Sequence, residues 1–402
     1  MRTSSPRLGR SALPALAGAG VAVLPERGRP EVSGLVHLGV GGFARGHVLA
    51  LTAAAVAAAP GPWAVCAVAQ RSLRVVDALA EQDGLYTVLV RDGEQRTPVV
   101  VDIVGDTLVA ARRPDELVAR LADPSSQVVT VTGTEAAYRL PPSGSPGAVA
   151  VQLAQGARAR WRADAGPLTV IACDNVAGGG QVLRDLVLDL VRRLPAAEAG
   201  PLETWVDEHL GFCSSVVDRI VPTVSPADLD DVEALLGVRD EAAVVTEPAT
   251  RWVIQDAATG PTPAWEHAGA LRVPDVRPWE VAKLRLLNAP HSMLAYLGLA
   301  AGLTTTAEAV GCEPIAAAVR ELLVTEMAPT VLPAPGLDAA AEVERSLHRC
   351  ANPGLAHPLS QIATDGSAKL RQRVVEAAVG HLRGGDTPTW TALLVEIGRA
   401  HV

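Results

Sequence analysis

A doubly wound α/β domain followed by a mainly α-helical one is the fold class this sequence predicts. Three observations predict it. Short, nearly continuous apolar runs alternate with helix-patterned segments through the first half of the 402 residues. A glycine-rich turn stands between the first such run and the first helix. After about Glu247 only "RWVIQD" (251–256) and a proline-rich passage through Pro278 precede a long Ala/Leu/Arg-rich remainder. The two domains are therefore expected to span residues 1–245 and 246–402.

In chain order, "SGLVHLGV" (33–40), "WAVCAVA" (63–69), "QVVTVTGT" (127–134) and "LTVIACD" (168–174) read as buried parallel strands. Strands covered on both faces need no polar alternation, so their runs are continuous. The alanine-rich "LTAAAVAAAP" (51–60) is the body of the first crossover helix. "RPDELVARLAD" (113–123) and "QVLRDLVLDLVRRL" (181–194) carry apolar residues at helical spacing. Strand and helix in alternation imply helices packed on both faces of a parallel sheet. "YTVLVRDGEQRTPVVVDIVG" (86–105) differs, with two runs around Asp92-Gly93, and reads as a hairpin-like excursion.

Composition narrows the function classes. The chain is long enough for two or three domains with sizeable cores. A formal net charge of −9 and the lack of any Lys/Arg run argue against a nucleic-acid footprint. Five scattered cysteines, none in a C-x-x-C pair, suit reduced thiols in the cytoplasm. The N-terminal stretch "MRTSSPRLGRSALPALAGAGVAVLP" superficially resembles an export signal, but Pro14 interrupts it and Ala and Gly make it weakly apolar. No run of 18 strongly apolar residues occurs, so no membrane span is expected. The expectation is a cytoplasmic monomer or small homo-oligomer with a small-molecule partner.

"LVHLGVGGFARGH" places Gly39, Gly41 and Ala44 in a G-x-G-x-x-A arrangement, with Gly42 and Phe43 between the last two, after a strand and before a helix. The first glycine permits a tight turn, the second lets backbone approach a pyrophosphate, and the small third residue allows close helix–strand packing. Phosphate oxygens would rest on the helix N-terminus. The predicted domain is thus of Rossmann type, with a dinucleotide as its cofactor. NAD sites place a carboxylate at the end of the second strand, whereas this chain runs "AVAQRS" there. Arg71 either faces a 2′-phosphate, favouring NADP, or is a solvated surface residue, so NAD and NADP both stay open.

The chain has two lysines and three asparagines. Oxidising a carbinol needs a group to take the hydroxyl proton and groups to steady the charge left on oxygen. Arginine stays protonated and cannot do the first, whereas a desolvated lysine can. Lys283, in "KLRLLNAPHS", is the candidate base. On a straight α-helix His291 lies about 80° round from Lys283, while Asn288 lies off that face. Pro290 is expected to break or kink the helix near Leu286–Ala289, making Asn288 the N-cap of a new helix. Asn175 closes "IACDN" at the carboxyl end of a predicted strand, the edge where open α/β sheets hold ligands. Asn352, in "ANPG", reads as turn chemistry. The histidines are dispersed and none forms H-x-x-x-H, so no metal set is expected.

In this order, "LVHLGVGGF", "CDN", "VDRIVP", "WVIQD" and above all "WEVAKLRLLNAPHSMLAYLG" (279–298) resemble the mannitol dehydrogenase family of long-chain polyol dehydrogenases and fructuronate reductases. "ALAEQDGLYTVLVRDG" (78–93) and "TVTGTEAAYRL" (130–140) extend the likeness. It covers most of the chain, from Leu35 to about Arg373. The resemblance implies a polyol or keto-sugar substrate and a metal-free active site between the two domains. It implies Lys283 as acid/base, Asn175 and Asn288 as oxyanion stabilisers and His291 as a substrate contact. It further implies Asp218 as a substrate-hydroxyl contact, Glu135 near the proton path, and Lys369 in a C-terminal substrate-binding segment.

Four departures accompany it. The chain is shorter than expected for the family. "VAGGG" (176–180) replaces a more polar segment. Gln361 stands where mannitol-type members carry arginine, which looks more like the fructuronate reductase and arabinitol branch. The second strand lacks its acidic terminus. A mannitol-1-phosphate dehydrogenase-like activity ranks lower, because that group begins with a "GAGNIGRG" type of loop. A non-catalytic dinucleotide-binding paralogue is the other alternative.

Overall fold

The computed structural model describes residues 5–133, 138, 147–355, 357–364 and 366–400. Glu135 lies outside the described residues. Six strands form one parallel sheet: β1 (Leu35–Leu38), β2 (Val65–Ala69), β3 (Val104–Val109), β4 (Val128–Val131), β5 (Leu168–Ala172) and β6 (Leu210–Cys213). Their spatial order is 3-2-1-4-5-6, the doubly wound arrangement of a Rossmann domain.

Side-chain alternation along the strands decides what covers each face. Leu35, Val65, Ala67 and Ala69 pack in one core with Ala44, Val48, Leu49, Val56, Val76 and Leu79 from the 42–58 and Arg74–Glu81 helices. Val36, Leu38, Cys66 and Val68 point the other way, into a core with Leu117, Leu153, Leu183 and Val187. Both faces are dry, which is why the strand sequences lack polar alternation. Two strands escape the sequence pattern. β3 follows the hairpin without a turn signal and merges with it in the sequence, and β6 is four residues appended to the Ala196–His209 helix.

The chain forms two compact units. One holds the residues up to Val90 with Arg96–Val276, and the other holds Arg91–Gln95 with the chain from Arg277 onward. The expected boundary at 245/246 precedes this division for a pairing reason. Val244–Thr246 runs parallel to Tyr86–Asp92. Arg251–Gln255 pairs with Ser215–Asp218 on one side and Leu271–Val273 on the other. These short strands belong by hydrogen bonding to the first unit.

The second unit is helical. Its centre is the Ala289–Ala300 helix, buried nearly all round and packed with Val319, Leu322, Leu323, Leu359, Val374 and Leu394. The C-terminal helix Thr389–Ala400 is docked by the buried Glu326. That carboxylate accepts the N–H groups of Trp390 (2.8 Å) and Thr391 (2.7 Å), two donors a helix start leaves without internal acceptors. Among the described residues no helix is long and apolar enough to cross a membrane.

Asn352 does more than shape its own turn. Its Oδ1 accepts from the N–H groups of Gly354 (2.9 Å) and Gly93 (3.0 Å), and its Nδ2 donates to the Arg91 carbonyl (3.0 Å). It therefore fastens the hairpin tip 91–95 within the second unit. Asn352→Ala strands three backbone groups and is expected to lower stability by about 2 kcal/mol. An unchanged midpoint in chemical denaturation would contradict this.

Candidate active site

At the end of β1 the chain turns sharply at Gly39, whose φ is +109°. A Cβ there would sit 1.7 Å from the Thr132 carbonyl oxygen, so no other residue fits. Gly41 and Gly42 differ: a Cβ on either would meet nothing closer than 3.9 Å, leaving open space above the turn. The helix begins at Gly42, and the N–H groups of Gly42, Phe43 and Ala44 have no acceptor among the described residues. This open, donor-lined turn fits a dinucleotide pyrophosphate.

Polar groups brace the turn from beneath. His37 is fully buried in β1, with Nδ1 2.8 Å from Thr130 Oγ1 and Nε2 3.0 Å from Thr132 Oγ1. Thr132 Oγ1 donates to the Gly39 carbonyl at 2.6 Å. Burial lowers the His37 pKa to about 4, so the ring is neutral at pH 7. Sequence reading overlooked this residue, although a histidine inside an otherwise apolar strand is the signal that marks it.

Asn175 is exposed beyond the carboxyl end of β5. The preceding Asp174 ties that turn down, accepting from the Gly133 N–H (2.6 Å) and from the Tyr138 hydroxyl. Two glycines of "VAGGG" have structural reasons. Gly178 is left-handed (φ +61°), and a Cβ on Gly180 would lie 2.5 Å from the backbone at Cys213–Ser214. Asp218 ends its strand opposite Arg251 and is half-buried. Next to it Arg219 donates to the carbonyls of Gly46 (2.7 Å) and Glu247. Arg71 is exposed just past β2.

In the second unit the helix break expected at Pro290 does not occur. Arg277–Ala282, Lys283–Asn288 and Ala289–Ala300 form one unbroken helical run, and its middle segment is a π-turn. The Ala289 N–H donates to the Leu284 carbonyl, five residues back. Asn288 is helical (φ −76°, ψ −34°) and caps nothing with its side chain, which corrects the N-cap expectation. Pro290 cannot donate, and its ring opposes the carbonyl four residues earlier. Widening the preceding turn accommodates it, and side chains take up the carbonyls near the bulge. His291 Nδ1 donates to the Leu287 carbonyl (2.7 Å), and Ser292 Oγ donates to the Asn288 carbonyl (3.3 Å). Arg373 donates both to the Asn288 carbonyl (3.1 Å) and to Ser292 Oγ (2.7 Å).

The π-turn changes which residues share a face. On an α-helix, residues five apart lie about 140° apart. A turn closed from i to i+5 brings them to within roughly 50°. Lys283 and Asn288 occupy the first and last positions of this turn, and both are half-buried. His291 sits differently from expectation. It is buried, its Nδ1 is held by Leu287, and its Nε2 lies 3.5 Å from Cys350 Sγ. Burial lowers its pKa to about 3, so it carries no proton charge near neutrality.

Lys369 and Gln361 are brought to the same short segment. Lys369 Nζ donates to the Ile362 carbonyl (3.3 Å) and Thr364 Oγ1 (3.2 Å), at the end of the Leu359–Ala363 helix that carries the exposed Gln361. Four residues after Lys369, Arg373 lies in another π-turn, Arg371–Val375, which packs against Lys283–Asn288. Sequence reading missed Arg373. Its spacing from Lys369 was the available clue.

Two family models match this chain: the mannitol dehydrogenase Rossmann domain over residues 33–267, and the mannitol dehydrogenase C-terminal domain over residues 275–400. The chain belongs to the mannitol dehydrogenase family. Within this family of oxidoreductases it is 33% identical over 387 residues to the uncharacterized oxidoreductase YeiQ of Escherichia coli, covering 91% of this chain and 78% of that one. It is 32% identical over 375 residues to the D-mannonate oxidoreductase of the same organism, covering 88% and 76%. The structure superposes on Pseudomonas fluorescens mannitol 2-dehydrogenase, solved as a ternary complex with NAD and D-mannitol. The TM-score is 0.87 at 28% identity, over 98% of this chain and 84% of that one.

Two of the buried histidines, His37 and His291, give stability a pH dependence. Both have folded-state pKa values below the ordinary 6.5, so the unfolded chain binds their protons first as pH falls. Above about pH 7 both rings are neutral in either state and contribute no slope. Between about pH 6.5 and 4 unfolding takes up protons at both, and stability should fall by a few kcal/mol. Thermal melts across that range check this, with His37→Gln expected to reduce the slope and an equal slope in that variant contradicting it.

Proposed function

We propose that this chain oxidises a secondary alcohol of an acyclic polyol or aldonate to the ketone, and reduces it back, with a nicotinamide dinucleotide. Lys283 is the general base of oxidation and the general acid of reduction. The observation that carries this reading is the π-turn, which sets the only lysine of that helix and an asparagine at its two ends, turned toward one face. Bound at the Gly39–Ala44 turn, NAD(P) supplies the hydride acceptor.

The chemistry asked of the protein is then a proton transfer and charge stabilisation. Lys283 in its neutral form takes the hydroxyl proton, and the amide N–H donors of Asn288, joined by Asn175 as the family likeness implies, steady the negative charge growing on that oxygen. Lys369 and Asp218 serve the remaining polar groups of the substrate, as the family likeness implies. His291 is buried with both ring nitrogens engaged, so it holds the helix while Lys283 carries the proton. The D-mannonate oxidoreductase among the relatives favours an aldonate or keto-acid over an uncharged polyol.

Two measurements test this. A spectrophotometric panel pairing NADH and NADPH with fructuronate, tagaturonate, fructose and xylulose is expected to show turnover with a keto-acid. No turnover with any of them would favour a dinucleotide-binding protein without catalysis. Lys283→Ala should lower kcat by roughly 10³-fold or more while leaving coenzyme affinity within about twofold. Unchanged turnover would remove Lys283 from the mechanism.

A further inference from the structure

The adenosine end of a dinucleotide on this fold lies at the carboxyl end of β2, beside the glycine-rich turn. There the chain leaves the sheet as Gln70-Arg71-Ser72, with Arg71 and Ser72 exposed. β3 runs alongside, Ala69 standing opposite Val109. The N–H groups of Ala110 and Ala111 donate to the carbonyls of Ala69 (2.9 Å) and Gln70 (3.2 Å). These bonds hold the two exit turns side by side and place Arg112 on the segment next to Arg71. Both Arg112 and Arg113 donate their N–H to the Val109 carbonyl at 3.0 Å, which closes the second turn tightly.

Arginines lead the charge at the two exit turns, and Asp77 and Asp115 follow only within the succeeding helices. Residues 70–73 hold no carboxylate. The carboxylate of Glu116 is taken by Arg113. The side chains of Arg71, Arg74 and Arg112 have no hydrogen-bond or ion-pair partner among the described residues. The remaining polar group that a ribose diol would meet is also engaged. The Gln70 amide forms a reciprocal pair with the Gln152 amide, at 3.1 and 2.8 Å, turning its donor and acceptor toward the Ala148–Ala163 helix.

A carboxylate at this position accepts a hydrogen bond from a ribose 2′-hydroxyl and repels a 2′-phosphate. Here that group is missing, and an unpartnered guanidinium stands at the strand end. Arginine's planar fork matches phosphate oxygens with two parallel donors. We infer that the ribose subsite takes a 2′-phosphorylated dinucleotide, with Arg71 holding the 2′-phosphate and Arg112 adding charge beside it. The inference rests on the reading of the first unit as a dinucleotide site and specifies which dinucleotide it takes.

The test is direct binding, independent of turnover. Fluorescence titration of the full chain with NADPH and with NADH should give a dissociation constant roughly tenfold or more lower for NADPH. Adenosine 2′,5′-bisphosphate should displace NADPH, and 5′-AMP should do so far less well. Arg71→Ala should weaken NADPH about tenfold and leave NADH unchanged, and Arg112→Ala should do the same to a smaller degree. Because the NADPH contact is ionic and exposed, its affinity should also fall faster with added salt. NADH binding as tightly as NADPH would overturn the inference, and so would Arg71→Ala weakening both coenzymes alike. Binding of neither would overturn it together with the dinucleotide reading, whereas tight NADPH binding without turnover would leave it standing and count against catalysis alone.

Discussion

The second unit is organised around one missing hydrogen-bond donor. Pro290 has no N–H and cannot tolerate the normal carbonyl beneath its ring, so the preceding turn must break or widen. It widens: Ala289 donates five residues back, to Leu284, and the helix continues to Ala300. Everything chemically suggestive nearby follows from that extra residue per turn. It rotates Asn288 toward the face of Lys283 and leaves carbonyls for His291, Ser292 and Arg373 to satisfy. Another π-turn, Arg371–Val375, brings the Arg373 guanidinium to that point. π-bulges recur at functional sites because they trade regular hydrogen bonding for such placements.

The first unit solves a different problem, keeping a strained turn rigid while leaving the space above it open. Gly39 at φ +109° is wedged against the Thr132 carbonyl. Its own carbonyl is held by the Thr132 hydroxyl, and His37 links Thr132 to Thr130. Strands β1 and β4 are neighbours where the strand order reverses, the point at which open sheets hold their ligands. The same economy appears at the end of β5. Asp174 anchors the turn that presents Asn175; after it Gly178 supplies a left-handed backbone and Gly180 clears the backbone at Cys213–Ser214.

How much of this was legible in the sequence depends on range. Four of the six sheet strands show as apolar runs, since a strand buried on both faces leaves that trace at any position. β3 and β6 do not, because β3 abuts a hairpin with no breaker and β6 continues directly from a helix with no breaker between them. The three-residue strands after Ala243 are defined by their partners and not by their own composition, so composition alone puts the division near 245/246, before their pairing ends. At the site, the rarity of lysine and asparagine singled out Lys283, Asn288 and Asn175. Pro290 signalled an irregularity but not its form. Whether a helix breaks or bulges depends on donors far away in sequence, here Arg373. The engagement of His291 by Cys350 is equally non-local and left no mark in "APHS".

The central claim is that the π-turn makes Lys283 and Asn288 act on one substrate oxygen as a unit. A double-mutant cycle in kcat/KM, comparing Lys283→Ala, Asn288→Ala and the double variant with the parent chain, tests it most directly. The predicted result is strong non-additivity, with the double variant scarcely worse than Lys283→Ala alone. Two losses that multiply in full would contradict it, since residues serving separate tasks lose activity independently.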